Sequence, residues 1–316
     1  MTLRLLSILS KKIRSEGILE TMSIIIGRLT GKRLAGSFPL NYANRASMFT
    51  TSSDVIRQQE KRKMRQSSFI VEASQVEDSY PEIFQSEKGT IRYSFLSAKQ
   101  ESKGLVVLFH GHNAYLHMGP MVQWDYFDIL APWDTFGWHR QGSWFWGEKG
   151  KNDVEWLVHD LIEKYKSRSP NHYWFCMGGS MGGFGALYHG IKYGCHGIYV
   201  QAPQVDLKLK VIENGENNRD NPYGYLAGEN LDKLPNLLQL SETKENLPPL
   251  FLMQHQFDPV NYFVDHGFRL LDVYNRKKSW YGVRVHPSIG HGGDGSQTEA
   301  QYFFKLIVDK KPPIEF

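Results

Sequence analysis

Short runs of β-branched and aromatic residues alternate with helix-length amphipathic stretches from residue 90 onward. That rhythm confines the chain to a mostly parallel sheet with helices on both faces. Ile91–Leu96, with its alternating pattern, reads as a strand. Leu105–Phe109 is a continuous apolar run, as a strand buried on both faces requires. Ile129–Trp133, His172–Cys176, Gly197–Gln201, Leu250–Gln254 and Val283–His286 are the further expected strands. Helices are predicted over Asp153–Tyr165, capped by Asn152 or Asp153, after the glycines that follow Cys176, around Tyr262–Asn275, and over Thr298–Asp309.

Residues 206–247 break the alternation. They are polar and carry turn signals at Asn214-Gly215, Asn221-Pro222 and Tyr223-Gly224. An insertion this long between two strands is expected to be a lid over a pocket rather than a decorative loop.

The segment Gly178-Gly179-Ser180-Met181-Gly182 stands between the strand HYWFC and the helical pattern FGALYHGIKYG. A serine on a tight strand-to-helix turn needs neighbours without side chains, because the helix must pass close to the strand. A phosphate-binding turn would need G-x-G-x-x-G or a G-K-[ST] ending, and neither is present. A serine nucleophile needs a base, and the base needs an orienting acid. His291, in the loop Ile289–Gly293 between the last strand and the last helix, is the expected base. Asp258 follows the preceding strand and is the expected acid, with Asp206, after the strand GIYVQ, as its rival. His255 and His286 are expected to be satisfied by packing and hydrogen bonds near strand ends.

On these residues the chain from about 90 to 316, roughly seven-tenths of the sequence, resembles the α/β-hydrolase superfamily. GGSMGGFGAL is similar to the elbow of its esterase-type members, and the order Ser180, Asp258, His291 is that of the superfamily. The resemblance implies an α/β-hydrolase fold over 86–316, with Ser180 as nucleophile, His291 as general base then acid, and Asp258 as its carboxylate. The region 1–85 has no counterpart in it.

Acyl transfer also needs an oxyanion hole. The residue after the nucleophile, Met181, supplies one backbone N–H. The loop Phe109-His110-Gly111-His112-Asn113 resembles the His-Gly loop of the superfamily, and His112 is the expected second donor, with Asn113 as the alternative. His110, His112 and His117 look ligand-like, but no Asp, Glu or Cys is spaced with them, so neither a metal nor a cofactor is expected.

Nine aromatic residues lie between Trp124 and Trp146, many in a polar, glycine-punctuated stretch. With Asp134, Arg140 and Gln141 interleaved, such faces suit sugar rings, and Trp138 and Trp144 are the leading substrate-binding candidates. The competing reading is a satellite hydrophobic cluster.

The charge is uneven. Residues 1–70 hold 13 Lys and Arg against 4 Asp and Glu, and the rest of the chain 24 against 29. Apolar residues recur at helical spacing from Leu5 to Leu29, so residues 1–85 are expected to form a basic, partly amphipathic-helical arm. It would pack on the main domain or touch a membrane surface or acidic polymer. No recognised nucleic-acid module accompanies the basic run Arg57–Arg65, so nucleic acid is not an expected partner. Charges interrupt every apolar run, which argues against a spanning helix. Cys176 and Cys195 sit in apolar surroundings and read as reduced thiols, in keeping with a cytoplasmic protein, peripheral to the membrane if the arm binds there.

The expected activity is that of a serine esterase working through an acyl-enzyme on a small acyl ester such as an acetyl ester, including an acylated glycan. A polysaccharide O-acetyltransferase with the same triad is the alternative. A non-catalytic binding module on the same fold is the third reading.

Overall fold

The computed structural model describes residues 73–167, 173–214, 220–292 and 297–309. Most of the expected basic arm, residues 1–72, lies outside them, as do His172, Gly215 and Gly293. The described chain begins with a short helix α1 (Ala73–Asp78) and a hairpin, β1 (Glu82–Ser86) and β2 (Gly89–Leu96). Then come β3 (Leu105–Phe109), β4 (Asp128–Trp133), α2 (Asp153–Lys166), β5 (Trp174–Gly179), α3 (Met181–Tyr193) and β6 (Ile198–Gln201). Three short helices follow, α4 (Leu207–Glu213), α5 (Pro222–Ala227) and α6 (Leu237–Thr243). β7 (Leu250–Phe257), α7 (Gly267–Arg276), β8 (Tyr281–Ile289) and α8 (Gln297–Val308) complete it.

One eight-stranded sheet runs β1-β2-β4-β3-β5-β6-β7-β8. β1 and β2 pair antiparallel, as do β2 and β4, and the remaining neighbours are parallel. β1 lies across the 85/86 boundary expected for the arm. Its sequence, EIFQS, is too short and polar to stand out.

Alternation along the central strands splits the core in two. Val107, Phe109, Cys176, Ile198 and Val200 point to the side covered by α2, α3 and α7. Val106, Phe175, Met177 and Tyr199 point to the other, where Phe303 and Phe304 of α8 pack with Trp124 and Phe127. Val76 and Tyr80 bury against Ala131 and Trp133, with the Tyr80 and Trp133 rings stacked at 5.2 Å, which fastens α1 to the hairpin side.

The insertion is a packed helical cap. Leu207, Val211, Leu226, Leu234 and Leu237 join the larger core cluster. Asp206, Asn221 and Asn236 cap its three helices through their side chains. No described helix is long and apolar enough to cross a membrane.

Candidate active site

Ser180, Asp258 and His291 stand just beyond the carboxyl ends of β5, β7 and β8, where open α/β sheets bind their ligands. Ser180 has φ 54° and ψ −118°, a strained conformation for a residue with a side chain. Its N–H donates to Gln201 O at 2.9 Å, and its carbonyl accepts from Phe184 N–H at 3.1 Å. The glycines around it are required by contact. A Cβ on Gly178 would meet Gly182 O at 2.2 Å, and one on Gly182 would meet Phe109 O at 2.1 Å and His110 O at 2.5 Å.

The Ser180 Oγ–H donates to His291 Nε2 at 2.9 Å. His291 Nδ1–H donates to the Asp258 carboxylate, 3.0 Å from each oxygen. A carboxylate only accepts, so it holds the imidazole proton on Nδ1 and leaves Nε2 free for the serine. Asp258 is 1% exposed, and its Oδ1 also accepts from Val260 N–H (2.8 Å) and Asn261 N–H (2.9 Å). Asn261 fastens that turn to the end of β6 by donating from Nδ2 to Ala202 O at 2.8 Å. Lys210 of the insertion donates to Val260 O at 2.7 Å from the other side. His255 positions the loop that carries His291: it bonds Ser288 Oγ at 2.9 Å, and a Cβ on Gly290 would strike its ring at 2.9 Å. The rival acid, Asp206, does not face His291. It caps α4 through Leu209 N–H (3.1 Å) and pairs with Arg269 (3.5 Å).

Met181 is the first residue of α3, so its N–H belongs to the turn that has no intrahelical acceptor. The loop after β3 passes over the elbow, where a Cβ on Gly111 would lie 3.9 Å from Gly179 O. Of the two expected second donors, Asn113 is occupied: its N–H donates to Gln141 O at 2.8 Å. Among the described residues no protein acceptor takes the His112 N–H. Beneath the loop, His110 Nδ1–H donates to Gly111 O at 2.7 Å and Nε2 accepts from Asp134 N–H at 2.9 Å. Burial, with His117 nearby, pushes the His110 pKa down to about 3, so the ring is neutral. Among the described residues no three His, Cys, Asp or Glu side chains are grouped to hold a metal ion.

The aromatic stretch departs from expectation. Trp144 is 1% exposed, so it offers no open face for a sugar to stack on. Its Nε1–H donates to Gln204 Oε1, and its ring lies against Tyr223 at 5.0 Å and His112 at 5.6 Å. Trp124, Phe127, Trp133, Phe145 and Trp146 are buried too, as a hydrophobic cluster would be. Asp134 is fully buried, not available to a sugar hydroxyl. It accepts from Ser143 N–H (2.7 Å), Phe145 N–H (2.8 Å) and Ser143 Oγ–H (2.9 Å), and burial still raises its pKa. Trp138 remains half-buried, its Nε1–H 3.4 Å from Asp220 Oδ1. Sequence reasoning missed Gln204, Tyr223, Lys210 and Asn261, which sit in segments without periodicity.

No protein-family model matches the chain, and no curated protein matches it significantly in sequence. Solved structures do resemble it. An acylaminoacyl peptidase from Pyrococcus horikoshii aligns over 72% of this chain at TM-score 0.51 and 14% identity. A puromycin hydrolase aligns over 72% at TM-score 0.54 and 16% identity. The chain spans 40% and 38% of the lengths of those two proteins. A capsule O-acetyltransferase of Neisseria meningitidis serogroup A aligns at TM-score 0.48 and 17% identity, over 72% of this chain and 94% of that one. With its strand order and its strand–Ser180–helix turn, the chain has the α/β-hydrolase fold.

Proposed function

We propose that the protein is a serine acyl hydrolase acting on small carboxylic esters through an acyl-enzyme. The observation that supports this reading is the unbroken relay from Ser180 Oγ through His291 to the buried Asp258. His291 Nε2 takes the Ser180 proton as Oγ bonds to the ester carbonyl carbon. The resulting oxyanion faces the N–H groups of Met181 and His112. The carbon–oxygen bond to the leaving alcohol then breaks, and the alcohol departs with the proton from His291. Water adds to the acyl-enzyme, giving its proton to His291, and the acid leaves as that proton returns to Ser180.

The test is turnover of p-nitrophenyl acetate with intact-mass detection of acylated protein. Ser180→Ala should lower kcat on the order of 10³-fold or more and abolish the acetyl adduct, with the fold retained by circular dichroism. An unchanged kcat in Ser180→Ala would remove Ser180 as the nucleophile, and a wild type with neither turnover nor an acetyl adduct would return the chain to the binding-module reading.

Transfer of the acyl group to a sugar hydroxyl is the second reading. Its support is Trp138, which is only partly buried, with its Nε1–H 3.4 Å from Asp220 Oδ1 of the cap. Both readings share acylation, so only products separate them: acetylated glycan for a transferase, free acetate alone for an esterase.

A further inference from the structure

The segment 142–145 packs against the side chains of both residues whose N–H groups are proposed to hold the oxyanion. At one end a Cβ on Gly142 would come within 2.5 Å of Met181 Sδ. At the other, the Trp144 and His112 rings lie 5.6 Å apart. Trp144 and Phe145 have φ of 58° and 55°, an unfavourable region for bulky residues. The buried Asp134 carboxylate holds them there through the N–H groups of Ser143 and Phe145. The indole is braced from the far side by Gln204, itself 2% exposed, whose Nε2 donates to Tyr223 OH at 2.6 Å. Tyr223 belongs to α5 of the cap, so three separate segments converge to hold one tryptophan beside the oxyanion loop.

An ester carbonyl bound by the Met181 and His112 N–H groups must lie about 3 Å from them. Its acyl chain then departs close to the segment that packs on the side chains of both. We infer that Trp144, braced by Gln204 and Tyr223, is the wall of the acyl subsite and sets its length, admitting acetyl-sized groups and excluding long acyl chains. The inference rests on Ser180 being the nucleophile. A two-carbon acyl group leaves the indole in place. A longer one must push it off Gln204, leaving a buried amide oxygen without its donor.

The experiment measures kcat/KM for p-nitrophenyl acetate, butyrate and octanoate, which share a leaving group and differ only in the acyl chain. The wild type should favour acetate over octanoate by about tenfold or more. Trp144→Ala should raise the octanoate-to-acetate ratio by about tenfold. Tyr223→Phe, which keeps the ring and loses only the hydroxyl, should move it the same way by less. Active serine is counted throughout by the burst of nitrophenol from diethyl p-nitrophenyl phosphate, with Ser180→Ala as the blank. A wild type that turns over octanoate as well as acetate overturns the inference, as does an unchanged ratio in a folded, fully titrating Trp144→Ala. If Trp144→Ala does not fold, the wild-type profile and Tyr223→Phe still decide. A wild type that titrates no serine overturns the nucleophile assignment itself, and the acyl wall with it.

Discussion

Asp258 and Asp206 are both carboxylates that follow a sheet strand, and only their hydrogen bonds tell them apart. Asp258 faces His291 Nδ1, whereas Asp206 accepts from the first turn of α4. Asp258→Asn should turn an N–H toward the imidazole, favour the wrong tautomer and lower kcat on the order of 10²–10⁴-fold with little change in KM. Asp206→Asn, with asparagine among the preferred cap residues, should leave kcat within about twofold. Steady-state kinetics on the two variants checks this, and the reverse order of damage would move the acid to Asp206. At this scale Ser180 and His291 were legible because each sits between a strand pattern and a helix pattern. Trp144 was not. Nothing in a glycine-punctuated stretch distinguishes an open ring from a buried one, and the groups that bury it, Gln204 and Tyr223, are 60 and 79 positions away along the chain.

Elements set where the serine stands. The α3 helix passes β3 so closely that Gly182 has no room for a methyl group. Gly182→Ala should destabilise the protein by about 1–3 kcal/mol through overpacking. It should also lower acylation more than the stability loss explains, because relief of the contact moves the helix N-terminus and with it the Met181 N–H. Urea unfolding beside burst kinetics separates the two effects, and a fully active variant of wild-type stability would contradict the packing argument. In sequence, residues 206–247 read as an insertion expected to be a lid, but its helices were not visible. Its helices are six or seven residues long, under two turns, too short for a 3.6-residue period to emerge. Their start signals, Asp206, Asn221 and Asn236, read equally well as turn residues.

The molecule as a whole carries buried neutral histidines. His110 and His266 are pushed down to about 3 and His189 to about 4, burial being the main cause in each. All three lie below the ordinary value near 6.5. An unfolded chain therefore binds more protons than the folded one between those values. The stability they contribute is complete above about pH 6.5 and is lost as pH falls toward 4 and then 3. The melting temperature should drop progressively from pH 7 to pH 4.5. His189→Phe, which replaces a ring stacked on Phe109, should show a shallower drop. Calorimetric melts across that range test it, and a wild-type melting temperature independent of pH would refute it.

The α/β alternation, the elbow and the order of Ser180, Asp258 and His291 were readable along the chain, because strand, turn and helix signals are local and the fold orders its strands predictably. The relay distances, the engagement of the Asn113 N–H and the choice between an open and a buried tryptophan were decided only by folding. Each depends on which distant segments meet at the carboxyl edge of the sheet. Asn113 loses its N–H to Gln141, and Trp144 is enclosed by residues after β6 and in the cap, contacts that no local pattern encodes.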